Sequence, residues 1–186
     1  MIRTTLNGVD LVFETDRRLF SPAGLDPGTA AMLAQVSFEP HDKVLDLGCG
    51  WGAVGIYAAA VIGADRVWMV DIDPQAVTLA ARNAARNGVA DVTVVQSDGV
   101  QALDETGFSK ILSNPPFHAD FAVPKRFIEK GFNRLAIGGS LWMVTRREAW
   151  YRNKLTAIFG GVRVRRADGY FVFEAVKKSA TYANRG

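Results

Sequence analysis

The chain has 186 residues, 48% of them hydrophobic and 22% charged, which predicts one folded domain with a sizeable core and excludes a disordered chain. A single cysteine excludes an internal disulfide, and with only two histidines it argues against a metal site. The lack of a long apolar run argues against a membrane span. The net charge of +3 is uneven: residues 1–120 carry 8 Lys or Arg against 15 Asp or Glu, and residues 121–186 carry 14 against 4.

The uneven charge gives a net of −7 for residues 1–120 and +10 for residues 121–186. A basic last third suggests a polyanionic partner such as a nucleic acid. The first ten residues lack the apolar segment of a secretory signal. We therefore expect a cytoplasmic protein without a membrane segment.

The first 40 residues are predicted to form a lead-in to a core at residues 41–186, both within one domain. In the lead-in, residues 10–15 (DLVFET) indicate a short strand. Residues 29–36 (TAAMLAQV) indicate a helix with Thr29 as its N-cap.

From Lys43 onward, strand-like apolar runs alternate with helical patterns. The alternation predicts an α/β fold, a Rossmann-like doubly wound and mostly parallel seven-stranded sheet with helices on both faces. The pair Asp168-Gly169 is a hairpin signal, so at least one strand near the C-terminal end should be antiparallel. The predicted strands are residues 43–47, 66–71, 91–96, 110–113, 140–145, 162–167 and 170–176, and the helices are 53–62, 74–87, 124–136 and 148–159.

The second of these helices has the clearest end signals. Asp73 is a suitable N-cap, Pro74 fits the first helical position, and Gly88 fits the end. Four apolar residues are predicted to share its buried face: Val77, Ala80, Ala81 and Ala84.

Aspartates stand at the ends of three successive predicted strands: Asp46, Asp71 and Asp98. In doubly wound sheets, ligands bind beyond the carboxyl ends of the strands. A carboxylate in this position can accept both hydroxyls of a ribose. Three such residues in register therefore predict a nucleoside site.

A glycine loop follows the first of these strands, with Gly48, Gly50 and Gly52 allowing a tight turn and the close approach of a ligand to the backbone. Residues 50–55 also spell G-x-G-x-x-G, with Asp71 about twenty residues further on, which leaves NAD and S-adenosylmethionine both open. Asp46 directly before the loop favours S-adenosylmethionine, because a carboxylate there suits an ammonium group and repels a pyrophosphate.

The segment SNPPFH, residues 113–118, ends the fourth core strand with two prolines, which have no N–H to donate to a sheet. The motifs VLDLGCGWG, VDIDP, SDG and NPPF, in this order, resemble the class I S-adenosylmethionine-dependent methyltransferases. With the lead-in LFSPAGLDPGT, they are most similar to the small-domain group that methylates the exocyclic amine of guanine in 16S ribosomal RNA. The resemblance runs from about Phe20 to Val176.

The resemblance implies roles for two sets of residues, with S-adenosylmethionine as cofactor. The Asn114 side-chain carbonyl and the Pro115 backbone carbonyl would each accept one N–H of the target amine, whose lone pair is otherwise delocalised into its ring. Pro115 and Pro116 would keep these acceptors rigid, and Phe117 would stack on an exposed or flipped base. The cofactor-binding set is Asp46, Gly48, Gly50 and Gly52 for the methionine end, Asp71 for the ribose, Ile72 against the adenine, and Asp98 for the adenine amine.

Several alternatives remain open from the sequence. The Asn-Pro-Pro-aromatic motif also serves adenine N6 and the side-chain amide of protein glutamine. An NAD-dependent oxidoreductase would explain the glycines but not Asp46 or residues 114–117. A non-catalytic RNA-binding module would not need an intact motif. His118 matches the group but receives no role.

Many members of the group are tandem duplications in which a degenerate first half helps to recognise RNA, whereas this chain holds one such domain. We therefore expect recognition through its own basic surface or a partner, and a monomer or a homodimer. The residues predicted to contact phosphates are Lys125, Arg126, Lys130, Arg134, Arg146, Arg147, Arg152, Lys154, Arg163, Arg165 and Arg166.

Overall fold

The computed structural model describes residues 1–116 and 120–184, and this part of the chain forms nine strands, five α-helices and one short 3-10 helix. Phe117 and His118 lie outside the described residues. The strands are β1 (Ile2–Leu6), β2 (Val9–Phe13), β3 (Val44–Leu47), β4 (Val67–Asp71), β5 (Thr93–Gln96), β6 (Phe108–Ser113), β7 (Leu135–Thr145), β8 (Arg163–Ala167) and β9 (Tyr170–Val176). The helices are α1 (Pro27–Leu33), α2 (Ala53–Ile62), α3 (Pro74–Arg86), α4 (Ala122–Arg134) and α5 (Ala149–Phe159), with the 3-10 helix at Ala64–Arg66.

The main sheet has seven strands in the order β5-β4-β3-β6-β7-β9-β8. The strands from β5 to β7 pair in parallel, whereas β9 is antiparallel to both β7 and β8. This confirms the predicted mostly parallel, doubly wound sheet with an antiparallel C-terminal end. The chain runs outward in both directions from β3 and β6, so the carboxyl ends of these two strands form the switch point.

The helices cover both faces of the sheet. On one face α1, α2, α3 and the β1–β2 hairpin surround a core that includes Phe13, Met32 and Ile56, and on the other α4 and α5 pack around Phe108, Phe132 and Phe173. Both faces of the strands are therefore covered, as their nearly continuous apolar runs require.

Within residues 1–116 and 120–184, no helix has the length and apolarity needed to cross a bilayer.

The lead-in differs from the sequence prediction in two respects. Residues Ile2–Leu6 form a strand, β1, that was not predicted, and it joins β2 through the Asn7-Gly8 turn. Both turn residues have positive φ, 48° and 82°, which this residue pair adopts readily. The N-cap of α1 is Asp26 and not Thr29, because the Asp26 carboxylate accepts the backbone N–H of Thr29 at 2.9 Å.

The predicted ends of α3 are confirmed, but its buried face is rotated from the predicted one. Asp73 caps the helix by accepting the Gln75 N–H at 2.8 Å. Ala81 is exposed, whereas Ala76, Leu79 and the polar Asn83 are buried. The Asn83 amide is buried because it binds backbone groups, donating to the carbonyls of Glu14 and Trp51 and accepting the Glu14 N–H.

Two glycines inside helices, Gly55 and Gly131, give a matched test of how tightly the helices pack against the sheet. A Cβ at Gly55 in α2 would lie 2.5 Å from Met69 Cγ and 3.3 Å from Asp46 Cβ, whereas a Cβ at Gly131 in α4 would meet its nearest neighbour, Leu141, at 3.9 Å. We expect Gly55→Ala to lower the free energy of unfolding by about 1–3 kcal/mol through overpacking. Gly131→Ala should raise it by about 0.5–1 kcal/mol through the lower entropy of its unfolded chain. Chemical denaturation measures the change in the free energy of unfolding for both variants. An increase for Gly55→Ala would contradict this packing.

Candidate active site

A cavity of about 640 Å³ opens at the switch point of the sheet. The ends of β3, β4, β5 and β6 and the lead-in segment between Arg18 and Thr29 line it. Gly52 and Pro115 are not among the described residues that line it. Eight of the predicted site residues do line it: Asp46, Gly48, Gly50, Asp71, Ile72, Asp98, Asn114 and Pro116.

The glycine loop is held against the end of β4 by its own backbone. Gly48 and Cys49 both donate their N–H groups to the Val70 carbonyl, at 2.9 and 2.8 Å, and Gly50 donates to the Asp71 carboxylate at 2.8 Å. Gly50 has φ of 54°, and a Cβ there would meet no atom within 4 Å. The loop therefore presents bare backbone to the cavity.

Gly52 adopts the turn conformation predicted for the loop glycines, but it packs against helices and does not line the cavity. It precedes α2 with φ of 100°, and a Cβ there would lie 2.9 Å from Ile56 and 3.4 Å from Ala80. The lack of a side chain thus lets the start of α2 approach α3. Gly52 shapes the loop from behind.

Asp46 is the most deeply buried carboxylate of the cavity, with 3% of its surface exposed. One oxygen accepts the Gly55 N–H at 2.9 Å. The pKa of Asp46 is raised to about 7, mainly by burial and in smaller part by the charge of Asp71, while the Gly55 hydrogen bond opposes the rise. A carboxylate in this state gains most from a cationic partner, because a nearby positive charge favours its ionised form.

The other cofactor candidates lie along the same rim. Asp71 holds the loop with one oxygen and accepts the Asp73 N–H with the other at 2.9 Å, and each oxygen has a second lone pair for a hydroxyl. Ile72 exposes 62% of its surface beside it, an apolar face for a flat ring. Asp98 is half-exposed, and its Oδ1 lies 3.5 Å from the Arg126 guanidinium, a neighbour that the sequence did not predict.

Asn114 follows β6 directly and faces the lead-in. Its amide nitrogen donates to Asp26 Oδ2 at 2.9 Å and to Thr29 Oγ1 at 3.1 Å. These partners lie 88 and 85 residues away in sequence, and no spacing or motif connects them to Asn114. They are the site residues that sequence reasoning missed.

Cys49 and Trp51 pack the loop. Burial, with the nearby charges of Asp46 and Asp71, raises the pKa of the Cys49 thiol well above its ordinary value, so the reactive thiolate is disfavoured. The Trp51 indole donates to the Phe20 carbonyl at 3.0 Å and tethers the lead-in over the loop. Among residues 1–116 and 120–184, no cluster of three or more His, Cys, Asp or Glu could hold a metal ion.

Comparison with known proteins assigns the family. Residues 10–174 match the Methyltransferase small domain family. The chain belongs to this family. Membership agrees with the class I fold and with the resemblance drawn from the sequence, so the chain is an S-adenosylmethionine-dependent methyltransferase domain.

The relatives of this methyltransferase small domain differ in length. The chain is 32% identical over 180 residues to the uncharacterized protein YbxB of Bacillus subtilis (strain 168), and the match covers 92% of this chain and 89% of that protein. It is 33% identical over 162 residues to the ribosomal RNA small subunit methyltransferase C of Pseudomonas putida (strain GB-1), covering 84% of this chain and 48% of that protein. The chain thus spans about half the length of the methyltransferase C relatives.

One solved structure is similar over nearly the whole chain. It is the T. thermophilus 16S rRNA N2 G1207 methyltransferase RsmC in complex with AdoMet and guanosine, with a TM-score of 0.85, 26% identity, and coverage of 95% of this chain and 50% of that one.

The described residues of the methyltransferase domain fit S-adenosylmethionine. The bare backbone at Gly50, the buried Asp46, and the carboxylates of Asp71 and Asp98 line one continuous cavity. Carboxylates suit a ligand with a cationic amino acid end and neutral hydroxyls better than they suit one with phosphates. The electrostatics of the cavity therefore agree with the family.

Proposed function

We propose that the protein methylates the exocyclic N2 amine of guanine in small-subunit ribosomal RNA. The observation that carries this proposal is the position of Asn114, which lies on the wall of the same cavity as Asp46 and the glycine loop. Its amide nitrogen is already bound by Asp26 and Thr29. The amide oxygen is the remaining acceptor of this side chain.

When bound, S-adenosylmethionine supplies an electrophilic methyl group. Asn114 Oδ1 and the Pro115 carbonyl accept the two N–H groups of the target amine, and in doing so they favour the positive charge that develops on it. Pro115 and Pro116 restrict the backbone at the acceptors. The resemblance assigns Phe117, which lies outside the described residues, to stacking on the base. We assign the cofactor to Asp46, Gly48, Gly50, Asp71, Ile72 and Asp98, with Gly52 supporting the loop.

Some basic residues of the last third bind other groups of the protein, so fewer of them remain as candidates for contacting RNA phosphates. Arg134 donates to the backbone carbonyls of Val100, Leu103 and Glu105, so we leave it out of the phosphate-contacting set. Lys154 pairs with Glu129 at 2.7 Å.

Three arginines at the carboxyl edge of the sheet are better placed, and we call them the arginine edge: Arg146, Arg147 and Arg166. Arg146 and Arg147 directly follow β7, and Arg166 lies near the end of β8. All three are therefore at the same edge of the sheet as the end of β6, which Asn114 follows. Each guanidinium lies over an aromatic ring, at 4.8 Å for Arg146 over Tyr170, 5.2 Å for Arg147 over Phe121 and 5.4 Å for Arg166 over Phe171. We assign the phosphates that flank the target base to this edge.

The arginine edge gives a prediction whose control, Arg163, lies on the same strand as Arg166. Replacing both Arg146 and Arg166 with glutamine removes two phosphate partners. The slope of log K against log salt for single-stranded RNA should therefore become shallower by about 1.4. The predicted phosphate-contacting set included Arg163, but it lies at the opposite end of β8 from the arginine edge. Arg163 is 3.7 Å from Glu174, as Arg166 is 3.6 Å from Glu148. Arg163→Gln should therefore leave the slope unchanged. Filter-binding titrations at several salt concentrations measure both, and equal effects of the two variants would contradict the assignment.

The activity test is transfer of labelled methyl groups. We expect label in small-subunit RNA, offered as naked RNA or as subunits, and N2-methylguanine after digestion and mass mapping. Label in adenine N6 or in protein glutamine would replace guanine with the corresponding substrate. If protein that binds S-adenosylhomocysteine transferred no label to any RNA or protein fraction, a catalytic role would be contradicted and an RNA-binding module favoured.

A further inference from the structure

We propose that Asp26 is a positioning residue for methyl transfer, because its carboxylate fixes which way round the Asn114 amide lies. This inference rests on the proposed function, which gives Asn114 the task of holding the acceptor amine. The contact joins the lead-in to the end of β6 across 88 residues of sequence.

The hydrogen-bond chemistry allows one orientation of the amide. Asp26 Oδ2 accepts from Asn114 Nδ2 at 2.9 Å, and Thr29 Oγ1 accepts from the same nitrogen at 3.1 Å. An ionised carboxylate can only accept, so the donor NH₂ of Asn114 must face it, and Oδ1 must lie on the opposite side. A reversed amide would place oxygen against carboxylate and would turn two donors toward the N–H groups of the substrate.

The surrounding structure holds Asp26 in place. The same oxygen, Oδ2, accepts the Thr29 backbone N–H at 2.9 Å as the N-cap of α1, and Pro27 stands at the start of that helix. Gly28 leaves room for the Tyr170 ring, since a Cβ there would lie 2.8 Å from the ring and 2.9 Å from Asp26 Oδ2. Asp26 is therefore held by the start of α1 and by Asn114, and Gly28 leaves the space beside its carboxylate open.

Asp26 has two roles, capping α1 and positioning Asn114, and they can be separated because a cap alone does not require an aspartate. Serine caps helices about as well as aspartate, but its side chain is one bond shorter and should not reach Asn114. Asparagine at position 26 keeps one oxygen that can accept from both Thr29 and Asn114. Asp26→Ser thus keeps the cap without the positioning, and Asp26→Asn keeps both.

The kinetic test compares these variants under saturating cofactor and RNA. We expect Asp26→Ser to lower kcat by about 10- to 100-fold, as a misplaced acceptor group does, with affinity for S-adenosylhomocysteine within about twofold and an unchanged Tm. Asp26→Asn should restore kcat to within about fivefold of the wild type. In an Asn114→Ala background, Asp26→Ser should have no further effect, because the two residues act as one unit. The control is Asp10→Ser, whose carboxylate accepts the Thr5 hydroxyl on the exposed hairpin.

A spectroscopic test does not depend on activity. The side-chain NH₂ signals of Asn114, identified in a ¹⁵N correlation spectrum by their loss in Asn114→Ala, should shift in Asp26→Ser and stay in Asp10→Ser. Unshifted signals, or a kcat of Asp26→Ser within twofold of the wild type, would overturn the positioning role. A wild type that methylates no substrate contradicts the proposed function instead, and the spectra still decide whether Asp26 holds Asn114.

Discussion

Replacement of Asn114 by alanine should lower the rate of methyl transfer by about 100- to 1,000-fold while leaving the cofactor site intact. In the proposed function the amide oxygen is a preorganised acceptor for an amine that becomes positively charged, and removal of one such group typically has an effect of this size. The proposed role also has the side chain hold the amine in line for attack, so its loss should affect kcat more than KM. Single-turnover transfer to ribosomal RNA and calorimetry with S-adenosylhomocysteine measure the two quantities separately.

The matched control is Asn153→Ala, an exposed asparagine on α5. It should retain the full rate, which shows that removal of an amide as such is harmless. If Asn114→Ala transferred methyl groups within about threefold of the wild-type rate, the acceptor role assigned to Asn114 would be wrong. If it lost rate and cofactor affinity together, the side chain would be shaping the cavity instead.

Much of the core was predictable because its local signals and its tertiary structure agree. The strands β4 and β9 follow apolar runs, α3 has Asp73 and Pro74 at its start, and Asp168-Gly169 joins β8 to β9. In each case the same few neighbouring residues determine both the local conformation and the packing. This consistency also made the carboxyl edge of the sheet predictable as a place for a site.

The lead-in was less predictable, because long-range hydrogen bonds determine its structure. Asp26 caps α1 and binds Asn114, and the Asn83 amide holds the backbone around Glu14 although it interrupts the apolar face of α3. Hydropathy patterns carry no signal for buried polar residues whose partners lie 69 to 88 residues away. The Asn7-Gly8 hairpin is different, since its signal is local: this residue pair itself favours the tight turn that joins β1 to β2.

The second large effect concerns Asp46, and its sign follows from its raised pKa. The folded protein holds a proton at Asp46 up to about pH 7, whereas the unfolded chain releases it near pH 4. Stability of the ligand-free protein therefore falls as pH rises from about 4 to 7 by roughly 2–4 kcal/mol from this group. Asp46→Asn keeps an oxygen for the Gly55 N–H but does not titrate. It should abolish this part of the slope and be more stable than the wild type at pH 8.

Ligand binding by the same variant should change in the opposite direction. An ammonium group beside Asp46 favours the carboxylate, so wild-type affinity for S-adenosylhomocysteine should rise from pH 5 to about 7 and then level off. Asp46→Asn removes the charged acceptor and should bind about 10- to 100-fold more weakly at pH 8, with little dependence on pH. Denaturation and calorimetry across pH 5–8 measure both effects on the same two proteins. A variant that gained stability at pH 8 but kept its affinity would place the ammonium elsewhere in the cavity, because burial alone would then account for the raised pKa.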